Sequence, residues 1–197
     1  VSIHGFGNVG SFTFKYLSQM GAKVIAISDK SGVVFSEDGF DQKLIKEIIK
    51  NKREVISYRG KAQKLKLEEF WSIPVDVLIP ASVTDVINES NKDKIETKII
   101  VEAGNIPMRE EIEEEFFKKG ILIVPDFVAN AGGVISSFAE YKGYSVEKMF
   151  SLVERKIEKS TKAVLKESMR LNQNPRKIAI NLAKEKILAK KAKPKNK

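Results

Sequence analysis

Three glycines at fixed spacing, in Gly5-Phe6-Gly7-Asn8-Val9-Gly10, lie between a short apolar run (Val1-Ser2-Ile3) and a segment in which Phe12, Phe14, Tyr16, Leu17 and Met20 recur at roughly helical intervals. Between a strand and a helix, this spacing is suited to holding a pyrophosphate. The first glycine makes the tight turn, the second lets the phosphates approach the backbone, and the third lets helix and strand pack closely. The helix start then offers unpaired N–H groups and the positive end of its dipole to the anion. Asp29 follows Gly10 by nineteen positions and closes the β-branched, apolar run Lys23–Ser28. A carboxylate there accepts the hydroxyls of an adenosine ribose and repels a 2′-phosphate. Lys30 and Ser31, next in line, would instead welcome that phosphate, so NAD is expected, with NADP as the alternative. The competing role for Asp29 is to cap a turn with Gly32.

Other candidates sit further along. Pro80-Ala81-Ser82 and Asn105 follow the ends of later apolar runs. In open parallel sheets, ligands bind beyond the carboxyl ends of the strands. Each segment taken alone is equally consistent with an ordinary turn. In Pro125-Asp126-Phe127-Val128-Ala129-Asn130-Ala131-Gly132-Gly133-Val134, paired glycines at a strand-to-helix transition leave room for a flat ring. Asn130 can both donate to and accept from a carboxamide. Ser137 lies four positions after Gly133, on the same helical face. Its hydroxyl can donate to a substrate carboxylate, or, as Ser136 also can, bond the carbonyl one turn earlier. The single histidine, His4, cannot build a metal cluster and is expected to be a packed or cofactor-adjacent residue. The sequence has no cysteine, which excludes disulfides, thiolate metal sites and cysteine nucleophiles.

The elements that must position these residues follow from periodicity. Apolar runs at Val75–Ile79, Lys98–Val101 and Ile121–Val124 alternate with helical patterns at Asp41–Asn51 and Arg109–Lys119. That alternation predicts an α/β, doubly wound, mostly parallel Rossmann-type sheet covered on both faces. From Val146 to Leu171 the pattern is one long amphipathic helix, and Asn174-Pro175 opens another, asparagine as cap and proline in the first turn. The expected organisation is a dinucleotide-binding domain over 1–145, a C-terminal helical extension over 146–192 and a basic tail over 193–197. Of the net charge of +9, residues 184–197 carry +6. The charge is therefore a lysine-rich end rather than a basic face, and nucleic acid is not the expected partner. No apolar run is long enough for a membrane span, and a cytoplasmic protein is expected. Because the chain opens inside a core strand, sequence is expected to be missing upstream.

GFGNVG, AISDKSG, DVLIPAS, IIVEAGN followed by proline, and GILIVPDFVANAGGV occur here in an order and spacing that resemble the glutamate/leucine/phenylalanine/valine dehydrogenase family across nearly the whole chain. GFGNVG and SDKSGVVFSEDGF resemble the glutamate branch most, whereas GYSVEKM is similar to the leucine and phenylalanine enzymes. The resemblance implies that Gly5, Phe6, Gly7, Asn8, Val9 and Gly10 hold the pyrophosphate and that Asp29, with Lys30 beside it, meets the adenosine ribose. It further implies that Ala81, Ser82 and Asn105 lie along the nicotinamide ribose, and that Asn130 holds the carboxamide. Val134 and Ser137 would line the pocket for a small amino-acid substrate. The implied reaction is oxidative deamination of L-glutamate to 2-oxoglutarate and ammonia by a homo-oligomer, a hexamer by the same resemblance. The family's catalytic residues lie on an N-terminal domain absent from this chain, which alone is expected to be inactive. The sequence departs from the family pattern at His4, usually glutamine, at Ala81-Ser82, usually two alanines, and at Gly104-Asn105 and Ile106–Arg109. Two alternatives stay open: a stand-alone or degenerate dinucleotide-binding module without catalysis, and a leucine or phenylalanine dehydrogenase domain.

Overall fold

The computed structural model describes residues Val1–Lys191; the expected basic tail, 193–197, lies outside the described residues. The chain divides into two compact units, Val1–Leu122 and the remainder from Ile123 on.

In the first unit, β1 (Ser2–His4) leads through the glycine turn into α1 (Asn8–Gln19) and then to β2 (Ala26–Asp29). β3 (Gly32–Phe35) returns antiparallel to β2, with Asp29 opposite Gly32, and β4 (Gln63–Leu65) pairs antiparallel with β3. After α2 (Gln42–Lys50) and 3-10 segments at Val55–Ser57 and Leu67–Ser72, β5 (Val75–Pro80) comes back to the other side of β1. β6 (Thr97–Val101) adds parallel to β5, and α3 (Glu110–Lys118) follows it. β7 (Leu122–Val124), at the division between the units, completes the order β4-β3-β2-β1-β5-β6-β7. The mostly parallel α/β sheet expected from the alternation is what forms. The β3–β4 pair is an addition that the periodicity did not predict.

Burial accounts for these strands. Ile3, Ile27, Val34 and Ile79 form a contiguous apolar layer with Phe14 of α1 and Ile45 and Ile48 of α2. Every side chain in that layer is almost fully removed from water. Fully burying one such side chain is worth about 1.5–3 kcal/mol, which offsets the entropy of ordering the strands. Asp41 starts α2 by accepting from the Lys43 and Leu44 backbone N–H groups at 2.7 and 3.2 Å.

The second unit holds α4 (Asp126–Ala129), α5 (Gly132–Tyr141), α6 (Val146–Leu171) and α7 (Pro175–Lys191). The expected cap of α7 is present: Asn174 Oδ1 accepts from the Arg176 N–H at 2.8 Å. Asn172, with φ of +50°, ends α6 in the left-handed conformation that asparagine tolerates. Arg176 pairs with Asp126 at 3.1 Å, both side chains nearly buried, and lies over the Phe127 ring. Among the described residues, no helix is long and apolar enough to cross a membrane.

Candidate dinucleotide site

The chain leaves β1 for β2 on one side and later returns to place β5 on the other, so the strand order reverses beside β1. That reversal opens the crevice at which doubly wound sheets bind ligands. Backbone hydrogen bonds tie the strand ends together there. The Gly5 N–H donates to the Ser28 carbonyl at 3.0 Å, the Ala81 N–H to that of His4 at 2.7 Å, and the Gly104 N–H to that of Pro80 at 2.8 Å. The rim of the crevice is thus a rigid surface rather than a set of independent loops.

The three motif glycines differ in what requires them. Gly5 has φ of +96°, and a Cβ built on it would lie 2.7 Å from the Ser82 Cβ and 2.8 Å from the Ala81 carbonyl oxygen. A Cβ on Gly10 would lie 1.9 Å from the Gly5 carbonyl oxygen, so the start of α1 can approach the turn only without a side chain. Gly7 is constrained by nothing in the protein: a Cβ there meets no atom within 4 Å, and its φ of −77° suits any residue. The space beside Gly7 is a cradle that a side chain would fill. No side chain caps the N-terminus of α1, which leaves its first N–H groups facing that space. Asn8 and Val9 are exposed, while Phe6 packs edge-on against Phe14 with centroids 5.9 Å apart. Phe6 therefore anchors the turn from below.

Asp29 ends β2 with its carboxylate fixed. Oδ1 accepts from the Ser31 N–H at 2.8 Å and from the Ser31 hydroxyl at 2.5 Å; Oδ2 accepts from the Val55 N–H at 2.8 Å. The turn-forming role is real and runs through Ser31. A carboxylate has about four acceptor positions, so these three donors leave one for a ribose hydroxyl. Lys30 is exposed, with Glu54 at 3.8 Å.

On the β5 side, Ser82 lies against both Gly5 and Gly104, and its hydroxyl is 2.8 Å from His4 Nδ1. His4 stacks on Trp71 at 4.6 Å and meets Phe70 edge-on at 5.0 Å. Burial pushes the imidazole down to about 4, so the ring is neutral at physiological pH. Two residues 78 positions apart in sequence therefore touch each other. The sequence singled out Ser82 and His4 separately; Trp71, which sets the ring's plane, was missed, because an aromatic beside a glutamate pair reads as ordinary core. The Asn105 carbonyl accepts from the Thr84 hydroxyl at 3.1 Å, linking the loops after β5 and β6. A cleft of about 370 Å3 between α1 and α2, lined by Phe12, Ile45, Ile49 and three lysines, includes none of these residues.

Asn130, Val134 and Ser137 belong to the second unit. The Asn130 N–H donates to the Asp126 carbonyl at 2.7 Å, ending α4. Val134 is 78% exposed. The hydroxyls of Ser136 and Ser137 both donate to the Gly133 carbonyl, at 2.8 and 3.1 Å. Gly133 has no atom within 4 Å of a built Cβ. Among the described residues, no three His, Cys, Asp or Glu side chains group to hold a metal ion.

The sequence pattern of the Glutamate/Leucine/Phenylalanine/Valine dehydrogenase family matches residues 1–193. The chain belongs to this family. It is 44% identical over 141 residues to the NADP-specific glutamate dehydrogenase of Saccharolobus shibatae, covering 72% of this chain and 33% of that one. It is 34% identical over 197 residues to the glutamate dehydrogenase of Thermotoga maritima, covering 95% and 46%. The family chain described here thus spans between a third and a half of the length of these relatives. Among solved structures, the hetero-hexameric glutamate dehydrogenase of Thermus thermophilus superposes with a TM-score of 0.77 at 23% identity, over 94% of this chain and 45% of that one. That likeness concerns the fold.

Proposed function

We propose that this chain is the nicotinamide-dinucleotide-binding portion of a glutamate dehydrogenase, the activity for which its relatives are named. The observation that carries this is the cradle at Gly7: a glycine that no packing demands, at the uncapped start of a helix, at the strand-order reversal. Gly5 to Gly10 would hold the pyrophosphate, Asp29 the adenosine ribose, and Ala81, Ser82 and Asn105 the second ribose. Asn130 would hold the carboxamide, and Val134 and Ser137 would form one wall of the amino-acid pocket. When bound, the nicotinamide accepts a hydride from the substrate's α-carbon; this chain's residues bind and orient it. The family resemblance puts the catalytic groups on an N-terminal domain, so turnover would require that domain beside this one; a homo-oligomer is the proposed assembly.

For cofactor choice, the fixed charge of Asp29 supports NAD. The names of two relatives, NADP-specific at 44% and 35% identity, support the alternative, in which Lys30 and Ser31 receive the phosphate. Ser137 bears on the substrate. A hydroxyl that spends its proton on the Gly133 carbonyl must rotate before it can donate to a substrate carboxylate. That observation favours a second reading, in which the substrate side chain is apolar, as for leucine or phenylalanine. Calorimetry with NADH and NADPH tests the first claim, with binding of at least one expected and no heat from a folded chain at millimolar ligand refuting it. The kcat/KM values of the complete enzyme for glutamate, leucine and phenylalanine separate the substrate readings.

A further inference from the structure

The His4–Ser82 pair is assigned no role by the glycine turn itself, yet it stands at the rim of the same crevice. Ser82 follows β5, on the opposite side of β1 from Asp29, which ends β2. A dinucleotide laid across the strand-order reversal puts one nucleoside on each side. With the adenosine ribose at Asp29, the other ribose comes to Ser82. A serine hydroxyl on a loop ordinarily rotates freely, and ordering it on binding costs affinity. Here the rotor is already held. Nδ1 of His4 lies 2.8 Å from Oγ, and the ring cannot swing away because Trp71 lies parallel to it, with planes 22° apart, while Phe70 abuts it edge-on. The His4 backbone is fixed as well, since its carbonyl accepts from the Ala81 N–H. Of the two hydrogen-bonding functions of Oγ, donor and acceptor, one is satisfied inside the protein and the other remains for a ligand.

We propose that His4 is a positioning residue for the dinucleotide: its imidazole, clamped by Trp71 and Phe70, holds the Ser82 hydroxyl in the orientation that meets the second ribose. The inference rests on the dinucleotide reading of the site and adds a residue to it. His4 acts only through Ser82 and touches no reacting atom. In its neutral form the ring fixes the hydroxyl in either tautomer, by accepting its proton at Nδ1 or by donating to its oxygen.

The test separates the two halves of the ligand. ADP carries the adenosine and the pyrophosphate; ADP-ribose adds the second ribose. Affinities of both are measured by calorimetry on the wild-type chain and on His4→Phe, His4→Gln, Ser82→Ala and the His4→Phe/Ser82→Ala double variant. Phenylalanine keeps the aromatic stack and loses only the hydrogen bond; glutamine restores a hydrogen-bonding atom. The wild type should bind ADP-ribose more tightly than ADP. His4→Phe should leave ADP affinity within about twofold and cut the ADP-ribose advantage about three- to tenfold, the worth of one neutral hydrogen bond. Ser82→Ala should do the same, the double variant should lose no more, and His4→Gln should recover most of the loss. If His4→Phe does not fold, Ser82→Ala carries the test, since it removes a hydroxyl and nothing from the core. An unchanged ADP-ribose advantage in Ser82→Ala overturns the proposal, as does a His4→Phe that weakens ADP and ADP-ribose alike. A wild type that binds neither ligand overturns the dinucleotide reading, and this inference with it.

Discussion

Gly7→Ala and Gly10→Ala are chemically the same substitution three residues apart, and the structure predicts opposite consequences. At Gly7 the new methyl meets no protein atom within 4 Å and the backbone is already in a conformation open to alanine. Two small terms act on stability there. Alanine reduces the freedom of the unfolded chain, a gain of about 0.4–1 kcal/mol, and is a poorer helix N-cap than glycine, a loss of similar size. The net change should fall within about 1 kcal/mol, a shift of only a few degrees in Tm. Binding should collapse, because the methyl occupies the space the pyrophosphate needs. Losing two charge-assisted hydrogen bonds at about 1.5–3 kcal/mol each amounts to more than about 100-fold in Kd. At Gly10 the methyl lands 1.9 Å from the Gly5 carbonyl oxygen, and α1 or the turn must move by more than about 1 Å. Overpacking of this kind costs about 1–3 kcal/mol or more, which outweighs the gain of about 1 kcal/mol from replacing a helical glycine. Thermal unfolding followed by circular dichroism, with calorimetry against NADH and NADPH on the same samples, reads both quantities. A Gly7→Ala chain that binds as well as the wild type would refute the cradle. One as unstable as Gly10→Ala would show that Gly7 serves packing instead.

Other consequences follow from single contacts. Asp29→Ser should raise NADP affinity relative to NAD by tenfold or more and lower stability by about 1–3 kcal/mol through the lost Val55 N–H bond; a wild type that already prefers NADP, with the ratio unchanged in the variant, would contradict the assignment. His4 is held neutral by burial with its pKa lowered to about 4. The unfolded chain therefore binds the extra proton first, and stability should be full above about pH 6.5 and fall by roughly 3 kcal/mol as pH drops to about 4. Urea unfolding across that range should show a steeper decline in the wild type than in His4→Gln, the difference between them being the His4 contribution, because carboxylates held below their ordinary range, such as Glu158 and Glu167, act alike in both chains. Arg176→Leu removes the ion pair at the nearly buried Asp126 carboxylate and should cost about 1–3 kcal/mol in the second unit, read as a lowered denaturation midpoint; an unchanged midpoint would mean that the pair adds nothing to stability. Steady-state assay of this chain alone with NADH, 2-oxoglutarate and ammonia should give no turnover, and measurable turnover would place catalytic groups within these residues.

Much of the fold was legible because its parallel strands carry apolar runs whose inner residues, such as Leu78, Ile79 and Ile100, are buried. Val75–Ile79 and Lys98–Val101 are apolar runs that make sense only in a parallel sheet, and each lies at or within a residue of its strand. The helix at Pro175 was equally clear, because Asn174-Pro175 carries both cap and first-turn chemistry. In the β3–β4 pair, β4 escaped because Gln63–Leu65 is short, polar and mostly exposed, with no apolar alternation to mark it, whereas β3, though apolar and buried, spans only four residues directly after the Asp29–Gly32 turn. At the site, glycine spacing located the turn but could not say which glycines serve packing and which leave room for a ligand. That distinction depends on Ser82 and Ala81, more than seventy positions away. The engagement of Asp29 with Val55, and the Trp71 stack behind His4, are likewise long-range contacts that no local pattern encodes.

The central claim is that a dinucleotide lies against the start of α1. Backbone amide resonances of the folded chain, followed by NMR while NADH or NADPH is added, test this directly. The cradle predicts saturable shifts concentrated at Gly7, Asn8, Val9 and Gly10, with further shifts at Asp29 and Ser82, and none at Gly21 or Gly120, where the chain turns on itself well outside the crevice. Binding that leaves the Gly7–Gly10 amides unmoved, or no binding at millimolar ligand, would contradict it.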